Sequence, residues 1–283
     1  MINKSIQNQT WPNGNPTGNA TPDNLIENID SHIQMPECIL KNFVNKYQSF
    51  YYYDIAETNI RFKIKRGHPG SLNAQKGYYS LETEQLLQKV VESPLGQSIK
   101  HIKNNDFSQP TPTPPEFRKI LLTYLHSLIA RSPHMYEAIE KHSAYLQFSN
   151  NFTEQEKNDF AVAVALEGTT NNSPFKDYIV TMLINKTEVP LLLPISGMYS
   201  YGDFICAPIS FNRAIVLVKQ NSELCSKLLC GKLCKTLLVE KESVIHQMNR
   251  FAIQAEASHN KRYVVSPDKI LLETYLKELS LIQ

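Results

Sequence analysis

Residues 176–218 read KDYIVTMLINKTEVPLLLPISGMYSYGDFICAPISFNRAIVLV, and this stretch decides the fold class. Tyr178, Val180, Met182 and Ile184 alternate with other residues, which is the period of a strand. Residues 191–193, 204–210 and 214–218 are short runs of strand type. Asn212-Arg213, between the last two, predicts a tight turn and antiparallel pairing. Working downstream, the pattern predicts helices over about 222–236 and 241–258, a strand at 262–265 and a terminal helix over 267–279.

Upstream of residue 170 the period is helical. Leu86, Leu87, Val90, Val91, Leu95, Ile99 and Ile102 mark a helix over about 81–104. Ser80 is its cap, and Pro94 should kink or split it by removing a backbone donor. Thr113 and Pro114 open a second helix, whose stripe is Phe117, Ile120, Leu121, Tyr124, Leu125, Leu128 and Ile129. Pro133 starts a third, to about 146. The fourth opens on the capping box Thr153-Glu154-Gln155-Glu156 and stops at Gly168. Before the helices, residues 47–68 read YQSFYYYDIAETNIRFKIKRGH, a hairpin about Glu57-Thr58-Asn59. Segregated hairpin, helices and sheet define an α+β protein: an N-terminal β-hairpin, a central helical block, then a mostly antiparallel sheet with C-terminal helices. Residues 1–27, rich in Asn, Thr, Pro and Gly, read as a disordered leader. Residues 28–283 form one domain, with the helical block at about 80–168 and the sheet block at about 176–266.

Composition removes several classes. Of 283 residues, 42% are hydrophobic, enough for a sizeable core. Lys plus Arg is 29 and Asp plus Glu is 27, a net charge of +2. Dedicated nucleic-acid-binding domains are more basic, often with a pI above about 9. With 10 glycines there is no GxGxxG and no GxxxxGK[ST], so dinucleotide and P-loop folds lack support. No apolar run approaches the roughly 20 residues of a membrane span. The N-terminus has no apolar signal region, and the five cysteines are an odd count. A cytoplasmic protein with reduced thiols and no membrane attachment is the expectation.

The chemistry-bearing groupings each have a plain alternative. Cys225, Cys230 and Cys234 lack CxxC spacing and a nearby fourth ligand, so no metal site is assigned; buried thiols explain them. Ser196 and Ser210 sit in no GxSxG elbow. Glu92, Glu137 and Glu140 lie on helices where solvated faces account for them. Arg61, Lys63, Lys65 and Arg66, beside Tyr47, Phe50, Tyr51, Tyr52 and Tyr53, fit a surface that stacks bases and binds phosphates. An edge hairpin guarded by lysines is the favoured reading.

Taken in order, the motifs resemble a bacterial domain family without an assigned activity, whose members open with His-His-Tyr-Val-Pro and a Leu-x-x-Phe. The matching stretches are His32-Ile33-Gln34-Met35-Pro36, Leu40-Lys41-Asn42-Phe43, Tyr53-Asp54, Tyr78-Tyr79, Arg131-Ser132-Pro133, Pro208-Ile209-Ser210 and Arg262-Tyr263-Val264-Val265-Ser266, with Glu92 and Asn249 on helices. They span about residues 30–270. Ile33 replaces the second His, and Leu193-Pro194-Ile195-Ser196-Gly197 lacks the Asp of the family's Ser-Asp-x-Pro turn. The resemblance implies one pocket: His32, Glu92 and Asn249 catalytic, with Arg131, Ser210 and Arg262 binding an anionic group. The resulting expectation is a bacterial protein acting on a phosphate-bearing substrate, nucleic acid or a nucleotide, in a toxin or phage-defence setting; whether it is an enzyme is left open, with a nuclease or another hydrolase as the candidate. Its cofactor is left open. The rivals are a non-catalytic module that binds or senses a ligand or protein partner, and a structural assembly protein.

Overall fold

The computed structural model describes residues 30–281 except 33, 55–63, 73, 105–114, 132–151, 172, 231–232, 235, 258–262 and 280. The proposed leader, the hairpin tip, the helix expected after Pro133, Arg61, Lys63 and Arg262 therefore lie outside the described residues.

The N-terminal part runs β1 (Asp30–His32), a short α1 (Glu37–Leu40), β2 (Phe50–Asp54), β3 (Ile64–Gly67) and β4 (Ala74–Lys76). β1 pairs antiparallel with β4, and β2 with β3, so the expected hairpin forms. The helical block follows: α2 (Leu81–Leu87), a π turn (Gln88–Glu92), α3 (Ser93–Asn104), α4 (Pro115–Ala130) and α5 (Glu154–Asn171). Ser80 caps α2, its hydroxyl accepting from the Thr83 N–H at 3.2 Å. Thr153 and Glu156 form the capping box reciprocally, at 2.7 and 3.2 Å.

Pro94 does not break its helix. The preceding turn widens instead, and the Ser93 N–H reaches back five residues to the Gln88 carbonyl. The core stripe then runs at four-residue spacing through Leu87, Val91, Leu95 and Ile99. Leu86 and Val90, included in the expected stripe, face solvent.

The sheet block contains β5 (Tyr178–Asn185), β6 (Leu193–Pro194), β7 (Tyr199–Tyr201), β8 (Phe204–Ser210) and β9 (Arg213–Lys219). After them come α6 (Glu223–Leu228), β10 (Leu229–Cys230), β11 (Leu233–Cys234), β12 (Leu237–Val239), α7 (Glu242–Ala257), β13 (Tyr263–Ser266) and α8 (Lys269–Glu278). One helix over 222–236 was the expectation. It stops at Leu228, and β10 pairs antiparallel with β11. Gly231-Lys232 between them is a two-residue, Gly-first connection, a hairpin signal that outweighs helical periodicity. Cys230 and Cys234 therefore do not share a helix face.

A five-stranded sheet has the order β12-β5-β9-β8-β7, antiparallel except that β12 runs parallel to β5. Both faces are covered, so its strands are apolar at both parities. Ile215, Leu217, Ala207 and Ile209 join the core shared with the helical block. Ala214, Val216, Val218 and Cys206 join a second core under α6 and α7. A four-stranded sheet, β3-β2-β13-β6, unites the N-terminal hairpin with the C-terminal strand. Its Tyr53 and Val264 pack on α7 and α8 in a third core. The consecutive leucines Leu191, Leu192 and Leu193 enter three different cores, so this short segment is where the layers meet.

Candidate functional site

Arg131 stands at the end of α4, where its N–H still bonds the Ser127 carbonyl at 3.1 Å. A cation suits the negative end of a helix. The side chain is 1% exposed and donates through Nη2 to Glu92 Oε1 at 3.0 Å, while Glu92 is 26% exposed. Glu92 is the last residue of the π turn, so the widened turn sets where this carboxylate points. Burial pulls the Arg131 guanidinium toward losing its proton; Tyr79, Glu92 and Glu84 more than offset this and hold it charged. Nε and Nη1 of Arg131 are buried without a hydrogen-bond partner among the described residues.

The surroundings are built by local contacts. The first turns of α5 grip the loop before α2: Gln155 donates to the Gly77 and Tyr79 carbonyls, both at 3.1 Å, and Asn158 to that of Tyr78 at 3.0 Å. This places Tyr79. From α1, Cys38 lies close enough to feel both charges. Burial, then Glu92, pushes its thiol up to about 12, so it is a protonated thiol and not a nucleophile at neutral pH.

Asn249 and Ser210 do not join this pair. Asn249, on α7, is fully buried and makes three side-chain hydrogen bonds, all within the fold. Its Oδ1 accepts from the Leu192 N–H at 2.9 Å, and its Nδ2 donates to the Pro190 carbonyl at 2.9 Å and the Tyr275 hydroxyl at 3.2 Å. Ser210 donates to Asn212 Oδ1 at 2.9 Å across the β8–β9 turn. Two turns beyond Asn249, Glu256 accepts from the Ser196 N–H at 2.9 Å. α7 thus clamps the segment that feeds the three cores at both ends. A buried Glu256 was not singled out by sequence reasoning, because nothing local distinguishes it from a helix-surface glutamate. His32 is placed by its backbone alone, opposite Ala74 in β1.

On the basic strand, β3 is an edge of its sheet, Lys65 pairs with Asp54 at 3.7 Å, and Arg66 donates to Ser49 Oγ at 2.9 Å. Tyr52 stands edge-on to Phe50 and Tyr263. Tyr53 is buried and Tyr47 exposed. An open apolar groove of about 370 Å³ lies between β12 and α7, lined by Leu237, Leu238, Val244 and Met248 with Tyr201 and Phe204. It contains none of the residues nominated from sequence. Among the described residues no three His, Cys, Asp or Glu side chains are grouped to hold a metal ion. Among them, too, no helix is long and apolar enough to cross a membrane.

The fold and this site define an α+β protein with a buried arginine–glutamate pair beneath its helical block. No family model, curated protein or solved structure matches the chain.

Proposed function

We propose that this chain is a binding module that takes a phosphate-bearing ligand, a nucleotide or the end of a nucleic acid, at Arg131. The observation that carries the reading is a buried guanidinium with one partner and, among the described residues, two nitrogens left without an acceptor. Leaving a buried donor unmade costs about 1–3 kcal/mol, so an anion that accepts from Nε or Nη1 would recover that energy. Every bidentate edge of the guanidinium includes Nη2, so a phosphate takes Nη2 together with Nε or Nη1 as Glu92 leaves, a grip that lysine lacks. Glu92, part exposed, is the gate: its carboxylate holds the guanidinium and swings to solvent when the ligand enters.

Binding is favoured over catalysis because Asn249 and Ser210 spend their polar atoms on the fold. The resemblance to the bacterial domain family names Glu92 and Arg131 among its six residues, and no reaction. The test is calorimetric titration of the protein with inorganic phosphate, adenosine monophosphate and a 5′-phosphorylated oligonucleotide, against Arg131→Met. Saturable binding that vanishes in the variant supports the reading. Equal heats from folded wild type and variant overturn it.

The second reading is an effector enzyme of the toxin or phage-defence kind, acting on the same ligand. It is favoured only by Glu92, a carboxylate beside the anion site that can take a proton. Controlled induction in a bacterial host would then arrest growth, and Glu92→Gln would relieve the arrest at equal protein level. Growth unaffected by either form removes this second reading.

A further inference from the structure

We infer that Ser173 and His126 form a second, nucleophilic site that cleaves small carboxylic esters, separate from the Arg131 pair. The geometry rests on three elements. His126 projects from α4 and is 3% exposed, and its Nε2 lies 2.9 Å from Ser173 Oγ. The Ala165 backbone on α5 favours the protonated form of the ring. We assign the ring proton to Nδ1, because Nε2 faces the hydroxyl. Ser173 is half-buried and opens the turn that leads into β5, its Oγ accepting from the Phe175 N–H at 3.1 Å.

A serine hydroxyl, an imidazole within hydrogen-bond reach and a third group that fixes the ring are the three parts of an activated nucleophile. The third group here is the Ala165 backbone, where other sites use a carboxylate. It still selects the tautomer with a free lone pair on Nε2. Burial lowers the imidazole's pKa further, so the ring is neutral and able to accept a proton at pH 7. The Phe175 N–H donates to Oγ and so helps to fix the hydroxyl beside His126. Phe175 stands edge-on to His126, with ring centroids 5.4 Å apart, and Tyr178 edge-on to Phe175. These rings, with Phe175 buried, back the dyad with an apolar wall, and the half-buried Ser173 is the part that solvent reaches, which suits a short acyl or aryl group.

His126 and Arg131 are five positions apart on the chain, about 140° around a helix, so they face different neighbours. The dyad does not use the anion site, and neither inference depends on the other.

In the reaction, Ser173 Oγ adds to the ester carbonyl carbon as its proton passes to His126 Nε2. The carbon–alkoxy bond breaks and the leaving oxygen takes that proton. Water then adds to the acyl-serine, giving its proton to Nε2. The acid departs, and Nε2 returns the proton to Ser173.

The test uses the full chain and a biotinylated fluorophosphonate. Oγ displaces fluoride from phosphorus, and the hydroxyl proton leaves through His126 to water. Peptide mass mapping should find one adduct, on Ser173. Ser173→Ala should lose it, and His126→Gln, folded by circular dichroism, should label about 10²-fold more slowly, the size of a general-base contribution. Hydrolysis of p-nitrophenyl acetate should fall in parallel. Where His126→Gln does not fold, wild type in urea replaces it, and labelling should disappear with the fold. No adduct on the folded protein, an adduct elsewhere, or equal labelling in His126→Gln or in urea overturns the inference and leaves Ser173 a turn cap.

Discussion

Arg131 and Glu92 show how unequal the two halves of an ion pair can be. Removing the carboxylate leaves a charge under the surface without its hydrogen-bonded counter-ion, whereas removing the guanidinium leaves a carboxylate that water already reaches. Glu92→Ala is therefore expected to lower unfolding stability by about 3 kcal/mol, the lower end for a broken buried pair. Arg131→Met, an apolar replacement of similar length, should cost about 1 kcal/mol or less. Urea denaturation of both variants measures the difference, and a larger loss for Arg131→Met would contradict the account. Asn249 makes the opposite case: its three bonds are all to the fold. Asn249→Leu should cost about 3 kcal/mol, at roughly 1 kcal/mol per hydrogen bond, while phosphate binding by the folded variant stays unchanged. A change in phosphate affinity without a change in stability would return Asn249 to the site. The resemblance read from the sequence puts Arg131 and Asn249 in one pocket. Only their partners, 39 and 57 residues away, separate them.

At the scale of elements, the helices were legible because capping and periodicity are local. Ser80 and Thr153 do what their spacing to the next apolar run predicts. The π turn was not legible, since it is a compromise between the donor missing at Pro94 and the stripe from Leu87 to Ile99. The helix expected over 222–236 stops at Leu228, because the residues that follow pair as two short antiparallel strands. The turn after β6 offers a sharp test. Its Gly197 has φ +80°, and an added Cβ would lie 2.6 Å from both Leu128 methyls. Gly197→Ala combines left-handed strain with that overlap and should cost about 2 kcal/mol or more. Circular dichroism melting checks this, and a wild-type midpoint would mean the turn is freer than its packing implies. Thr153→Ala should cost about 1 kcal/mol by loss of the capping box, read in the same melts.

For the whole molecule, the order of hairpin, helical block and sheet with C-terminal helices makes an α+β protein held by three cores. Its buried acids predict how it fails at high pH. Burial lifts the thiols of Cys38 and Cys206 to about 12 from an ordinary value of 9.0, and the Tyr124 hydroxyl rises too. Above pH 9 the unfolded chain gives up these protons while the folded chain keeps them, so the slope of stability with pH is negative. Stability should be insensitive to these groups below pH 9. Between pH 9 and 12 it should fall by about 1.4 kcal/mol per pH unit for each fully ionised thiol. Denaturant midpoints across that range test this, and Cys38→Ser with Cys206→Ala should flatten the slope. The sequence by itself determined what depends on near neighbours: the change of period near residue 170, the antiparallel hairpins, the caps and the near-neutral charge. The tertiary structure alone decided that β13 joins the N-terminal hairpin to β6, that Leu191, Leu192 and Leu193 part into three cores, and that Arg131 meets Glu92 while His126 meets Ser173. Those are contacts between residues far apart in the chain. They are fixed by which faces find cover from water, and that competition is settled only when every layer is present.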